Sequence, residues 1–78
     1  MTTPRIVSDP KVLFGKPVIA GTRISVELIL EKLGAGDSFQ DLLEDYPHLT
    51  EADIRAAIQF AAQAIRTDTV YPFAPALP

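Results

Sequence analysis

The stretch Gly15–Val26, GKPVIAGTRISV, decides how this chain is organised. It holds two glycines six residues apart, a proline, two cations and several β-branched apolar residues, and it runs straight into a helical pattern. Gly15 and Gly21 are the positions where the backbone can enter the left-handed region without a Cβ clash. Pro17 has no N–H for a ladder and suits the start of a strand. Val18 and Ile19 fit a pleated surface. The stretch reads as a short hairpin or hooked strand that aims the helix after it.

Upstream, Met1–Pro4 reads as a loose end, and Arg5-Ile6-Val7 as a β-prone piece closed by the turn residues Ser8-Asp9-Pro10. Val12-Leu13-Phe14 is expected to form a second extended piece before Gly15. Downstream, Ser25 is the expected N-cap of a first helix over 25–33, with Glu27 at the positive end of its dipole. Val26, Ile29, Leu30 and Leu33 fall at i, i+3, i+4 and i+7, one buried face. Gly34 and Gly36 stop this helix.

Ser38 with Asp41 makes a capping box for a second helix over 38–46, and Phe39, Leu42, Leu43 and Tyr46 repeat the face spacing. Pro47 ends it, because the residue before a proline is pushed out of the α region. Thr50 with Asp53 is a second box, opening a third helix over 50–66. There Ile54, Ala57, Ile58, Ala61 and Ile65 form the inward face. The expected core is Val26, Ile29, Leu30, Leu33, Leu42, Leu43, Tyr46, Leu49, Ile54, Ala57, Ile58 and Ala61.

The third helix also carries Ala56, Phe60 and Ala64 at about one-turn spacing. A helix apolar over more than half its circumference contacts more than one neighbour. Phe60 either packs on the N-terminal strands of its own chain or faces a partner. Residues 67–78, TDTVYPFAPALP, contain three prolines with Val70, Tyr71, Phe73 and Leu77 among them. This Pro-rich segment reads as an extended apolar strap in a groove of its own chain or a neighbour's, or as a disordered tail. Ala56, Phe60, Ala64, Val70, Tyr71 and Phe73 are therefore the candidate dimer or partner interface. The chain divides into one small domain, 1–66, and the strap, 67–78.

With 78 residues and no cysteine, there is one domain at most, a small core, no disulfide and no thiolate metal site. Association is the remaining support for so small a core, and a homodimer is expected. No window reaches the ~20 apolar residues that span a bilayer, and the start lacks a signal-peptide pattern, so a cytoplasmic protein is expected. The net charge of −3 hides an asymmetry. Residues 1–33 carry five cations against three carboxylates, +2, and residues 34–78 carry two cations against seven, −5. An anion-seeking surface belongs in the first part, where Arg5, Lys11, Lys16 and Arg23 lie.

No catalytic or cofactor-binding constellation emerges. His48 is the single histidine, in the turn after Pro47, and reads as a solvated or backbone-bonded side chain rather than a ligand or base. Asp41, Glu44 and Asp45 on the second helix, and Glu51 and Asp53 opening the third, include paired carboxylates of the kind that hold Mg²⁺. Solubility and the helix dipole explain them more simply. The Gly-Lys-Ser/Thr order of a phosphate loop is missing. No serine is paired with a base, and Ser25 and Ser38 read as caps. The chain is expected not to be an enzyme.

Three helices with a short turn before the last match the layout of homeodomain-like DNA readers. On the third helix only Arg55, Gln59, Gln63 and Arg66 suit DNA, and Glu51 and Asp53 would repel phosphates. The candidate nucleic-acid contacts are therefore Arg5, Lys11, Lys16 and Arg23 on the hairpin, with Arg55 and Gln59 on the helix.

GKPVIAGTRISVELILEKLGAG, followed by SFQDLLEDYPHLTEADIRAAIQFA, resembles the small prokaryotic family known as domain of unknown function 433. The family pattern falls on Gly15 to Ile19, Gly21 to Ile24, and Tyr46, Pro47, Leu49 and Thr50, and the likeness covers about residues 5–65. The resemblance implies a mostly α fold, a three-helix homeodomain-like helix-turn-helix bundle with short N-terminal β-strands. It also implies an antitoxin-like role beside a small PIN-type nuclease, and it transfers no catalytic residue; the acidic helical half, or the strap, is expected to contact such a partner, a basic toxin protein. The alternative role is a DNA-binding transcriptional regulator.

Overall fold

The computed structural model of the chain describes residues 5–67. Two short strands precede three helices: β1 (Ile6–Val7), β2 (Val18–Ile19), α1 (Val26–Gly34), α2 (Phe39–Asp45) and α3 (Glu51–Thr67). The strands pair antiparallel, with Ile6 opposite Ile19 and Val7 opposite Val18. β2 also has a neighbour on its other side. The Ile19 N–H donates to the Ile24 carbonyl at 2.9 Å and the Val26 N–H to the Pro17 carbonyl at 3.0 Å. The expected hooked strand is this arrangement.

The hook turns at Gly21, whose φ is +79°. Thr22 locks it: its N–H and its hydroxyl both donate to the Ile19 carbonyl, and its Oγ1 accepts from the Ile24 N–H at 2.9 Å. Val26 thus leaves the hairpin already directed into α1. Flanked on both sides, Val18 and Ile19 are both buried, which adds them to the expected core.

The expectation of an extended Val12-Leu13-Phe14 is corrected. Val12 is extended, but Leu13–Gly15 form a single 3₁₀ turn in which φ is +48° at Leu13, +58° at Phe14 and +84° at Gly15. Turn chemistry on both flanks overrides β propensity. Asp9 accepts from the Lys11 N–H through its side chain and from the Val12 N–H through its carbonyl, and Gly15 N–H donates back to Val12. The segment satisfies its backbone locally and offers no ladder to a strand.

Each helix starts where its cap stands. The Ser25 hydroxyl accepts from the Leu28 N–H, and Ser38 and Asp41 complete a reciprocal box at 2.9 and 3.1 Å. Thr50 and Asp53 form a second such box, at 3.1 Å in both directions. α1 ends in a Schellman motif, with Gly36 N–H donating to the Leu33 carbonyl and Asp37 N–H to the Lys32 carbonyl. The stop belongs to Gly36, at φ +108°, while Gly34 is the last helical residue. Tyr46, before Pro47, leaves the helix at φ −128°, ψ 86°.

Val26, Ile29, Leu42, Leu49, Ile54 and Ala57 are buried with Ile19 in one core where α3 crosses α1 and α2. Leu30, Leu33, Leu43 and Tyr46 pack against it half-buried. Two expected inward residues are corrected: Ile58 is 38% exposed and Ile65 55% exposed. α3 has seventeen residues while α1 and α2 have nine and seven, so its second half extends beyond the helices that could cover it. Ala61, at the limit of the packed part, is half-buried.

Candidate functional site

The cations expected to meet nucleic acid divide into engaged and free. Arg5 Nη1 donates to Asp53 Oδ1 at 3.1 Å, and Lys16 Nζ to Glu27 Oε1 at 2.9 Å. Arg55 grips Glu51 one turn earlier on α3 through Nε and Nη2, and its guanidinium lies 6.0 Å from the centre of the Phe39 ring on α2. The hydrogen bond that Lys16 donates to Glu27 raises the Lys16 pKa above its ordinary value. Among the described residues, Lys11 and Arg23 are exposed and form no ion pair, and Gln59 is exposed on α3. Of the six candidates, Arg5 reaches the start of α3, Lys16 reaches α1 and Arg55 pairs along α3 itself, while Lys16 and Arg23 border one hollow.

Glu51 and Asp53 are not bare charges at the start of α3. Arg55 neutralises the first, and the second is buried between Thr50 and Arg5. Among the described residues, Asp9 and Glu31 are exposed without an ion pair, and the largest such group of acids is on α2. Asp41 is exposed although it closes its box, and Glu44 and Asp45 are exposed with no ion pair among the described residues.

Arg23 borders three separate hollows. One, about 420 Å³, lies toward Val7, Asp9 and Val12. A second, about 610 Å³, opens between the Gly21–Thr22 turn and His48. The third, about 460 Å³, runs from Leu13 and Phe14 to Leu28 and Glu31 on α1. His48 therefore shares a hollow with the hairpin turn, a juxtaposition across the chain that no local motif announces. Phe14 is the residue sequence reasoning passed over. Its side chain is 99% exposed, and the signal for it was the glycine after it together with the Asp9-Pro10 turn before it.

Of the candidate interface, Ala56 is half-buried, Phe60 is 39% exposed and Ala64 is exposed, while Val70, Tyr71 and Phe73 lie outside the described residues with the rest of the strap from 68 onward. Among the described residues, no helix is long and apolar enough to cross a membrane, and no three His, Asp or Glu side chains are placed to hold a metal ion.

A family model described as "Protein of unknown function (DUF433)" matches residues 6–61. The uncharacterised protein y4eO of Sinorhizobium fredii is 38% identical over 56 residues, covering 72% of this chain and 25% of that protein. The crystal structure of a DUF433 member protein from Anabaena variabilis superposes with a TM-score of 0.78 at 31% identity, covering 83% of this chain and 64% of that one. This chain thus spans a quarter of the first relative and just under two thirds of the second.

Proposed function

We propose that this chain, which belongs to the DUF433 family of proteins of unknown function, is a non-enzymatic binding module of antitoxin type that docks a basic partner protein. The observation that carries the reading is the acidic surface of α2, where Glu44 and Asp45 stand exposed beside Asp41 without counter-ions among the described residues. Carboxylates on a rigid, capped helix steer a cationic partner and keep out nucleic acid that would compete for it. The family resemblance supplies the class of partner, a small PIN-type nuclease.

The test is co-expression with a basic nuclease encoded beside this gene. The chain should relieve growth arrest and co-purify with the nuclease. The double substitution Glu44→Lys, Asp45→Lys should abolish both while leaving the helical circular dichroism intact. Relief of arrest that survives the double substitution would sink the reading.

A DNA-binding regulator is the second reading, and one observation favours it. Gln59, Gln63 and Arg66 surround a hollow of about 280 Å³ on the exposed half of α3, a set of side chains that can donate to base edges.

A further inference from the structure

We propose that the turn at Leu13–Gly15 is a self-association surface: in a two-fold pair, Phe14 of each copy seats against Leu13 and Leu28 of the other. The argument starts from the backbone. Leu13 and Phe14 both hold positive φ, at +48° and +58°, a conformation disfavoured for residues with a Cβ and bulky side chains. Such strain persists where surrounding structure over-determines it. Here Asp9 and Val12 hold the entry, and the Lys16 N–H donates to the Leu13 carbonyl at the exit. Leu13 is half-buried, but at Phe14 the strain gains the chain no packing of its own, since that residue is 99% exposed. A fully exposed ring carried on a held backbone is the form of an interface anchor, because the turn is already ordered and burial of the ring removes a large apolar surface from water.

The surroundings select the occupant. Beside Phe14 a hollow of about 460 Å³ offers Leu13 and Leu28 as apolar lining. Its rim carries two cations and two carboxylates. Lys16 and Glu27 satisfy each other at 2.9 Å, which leaves Arg23 and Glu31, each without an ion pair among the described residues. A patch that is neutral overall and bears one charge of each sign outside an ion pair is complementary to its own two-fold copy, Arg23 of one facing Glu31 of the other. Nucleic acid is disfavoured by the two carboxylates at the rim, and a strongly basic protein by the two cations. The α3 stripe is the weaker seat for a pair, since Ala56 is half-buried and Phe60 keeps 39% of its surface.

The experiment is sedimentation of the full chain across the micromolar range, with no partner present, so its result is independent of whether the α2 acids bind a nuclease. The native chain should pair in a concentration-dependent way. Phe14→Gly places at φ +58° the residue that accepts it without strain. It should weaken pairing roughly ten-fold or more while melting no lower than the native chain at dilutions where both are monomeric. Arg23→Glu and Glu31→Arg should each weaken the pair, and the two together should restore it. A chain monomeric throughout, a pair indifferent to Phe14→Gly, or a double exchange that fails to restore pairing overturns the proposal.

Discussion

The Arg5 guanidinium donates to Asp53 Oδ1 at 3.1 Å while Asp53 Oδ2 accepts from the Thr50 N–H, so one carboxylate both closes the N-terminal box of α3 and tethers the start of β1. The two functions are separable by substitution. Asp53→Ala keeps the Thr50 hydroxyl cap on the residue-53 N–H but leaves the Thr50 N–H without its carboxylate acceptor and Arg5 unpaired, which should cost about 1–3 kcal/mol. Arg5→Ala leaves the box in place and breaks only an ion pair whose arginine is 53% exposed, so it should cost at most about 1 kcal/mol. In thermal melts the difference appears as several degrees, because about 1 kcal/mol shifts a domain of this size by roughly 4–8 °C. Equal losses for the two variants would mean that the tether, not the bond to the Thr50 N–H, is what Asp53 contributes.

Ile54 and Ile58 lie one turn apart on α3 and differ in burial, the first fully buried and the second 38% exposed. Ile54→Ala should therefore cost about 2–5 kcal/mol, and Ile58→Ala clearly less, about 1 kcal/mol. Chemical denaturation of the two variants side by side checks this. A loss at Ile58 equal to that at Ile54 would show that a second surface covers the outer half of α3.

That pair of isoleucines marks the limit of what the sequence makes legible. Face spacing and caps located all three helices, because those signals are local: Ser25, Ser38 with Asp41, and Thr50 with Asp53 each act within four residues. Spacing states which residues share a face, but not how far the neighbouring helices reach along it. Ile58 and Ile65 therefore read as core when α1 and α2 are too short to cover them. Phe14 was missed for a different reason: its β-prone neighbours outweighed the turn residues four and five positions before it. The Arg5–Asp53 pair, 48 residues apart, has no local signal at all.

Gly21 and Gly34 should respond to alanine in opposite directions. Neither would bring a new Cβ within 4 Å of a neighbour, so sterics do not decide the outcome. Gly21 sits at φ +79°, where alanine is strained, and Gly21→Ala should destabilise by about 1 kcal/mol or more. Gly34 is the last residue of α1 in the ordinary helical region, and Gly34→Ala should stabilise by up to about 1 kcal/mol. The melting temperatures of the two variants should lie on either side of the native value.

Lys16 titrates above its ordinary value because Glu27 accepts its hydrogen bond, with the Glu27 charge and then Glu31 adding to the effect. A raised folded-state pKa means that the contribution to stability is complete below the unfolded lysine value. It is lost as pH rises through the folded one, so the effect is confined to the alkaline side, above about pH 10. Glu27→Gln should bring the Lys16 pKa down toward that of a free lysine and remove this part of the alkaline dependence. An NMR titration of the Lys16 side chain in both forms reads it directly, and an unchanged midpoint would show that the pair does not persist in solution.

Binding of this chain to duplex DNA of random sequence is expected to be weaker than ordinary non-specific binding, which lies at about 10⁻⁴–10⁻⁶ M at physiological salt. Phosphate contact requires cations free to replace counter-ions, and the net charge of −3 leaves few. Arg5, Lys16 and Arg55 are committed to Asp53, Glu27 and Glu51, so phosphates would have to displace carboxylates already in place. Lys11 and Arg23 remain on the hairpin side and Arg66 near the end of α3, while α2 turns Glu44 and Asp45 outward. Titration of labelled duplex at low and moderate salt measures the affinity and its salt slope together. If binding is found, the slope names the surface. Arg23→Ala flattening it by about one unit would assign the contact to the hairpin. Loss of binding on Gln59→Ala, with the slope unchanged by Arg23→Ala, would assign it to α3. Either result would move the DNA-binding reading ahead of the acidic docking surface, since the carboxylates of α2 would then lie on the same small domain as a working nucleic-acid contact and repel the ligand they accompany.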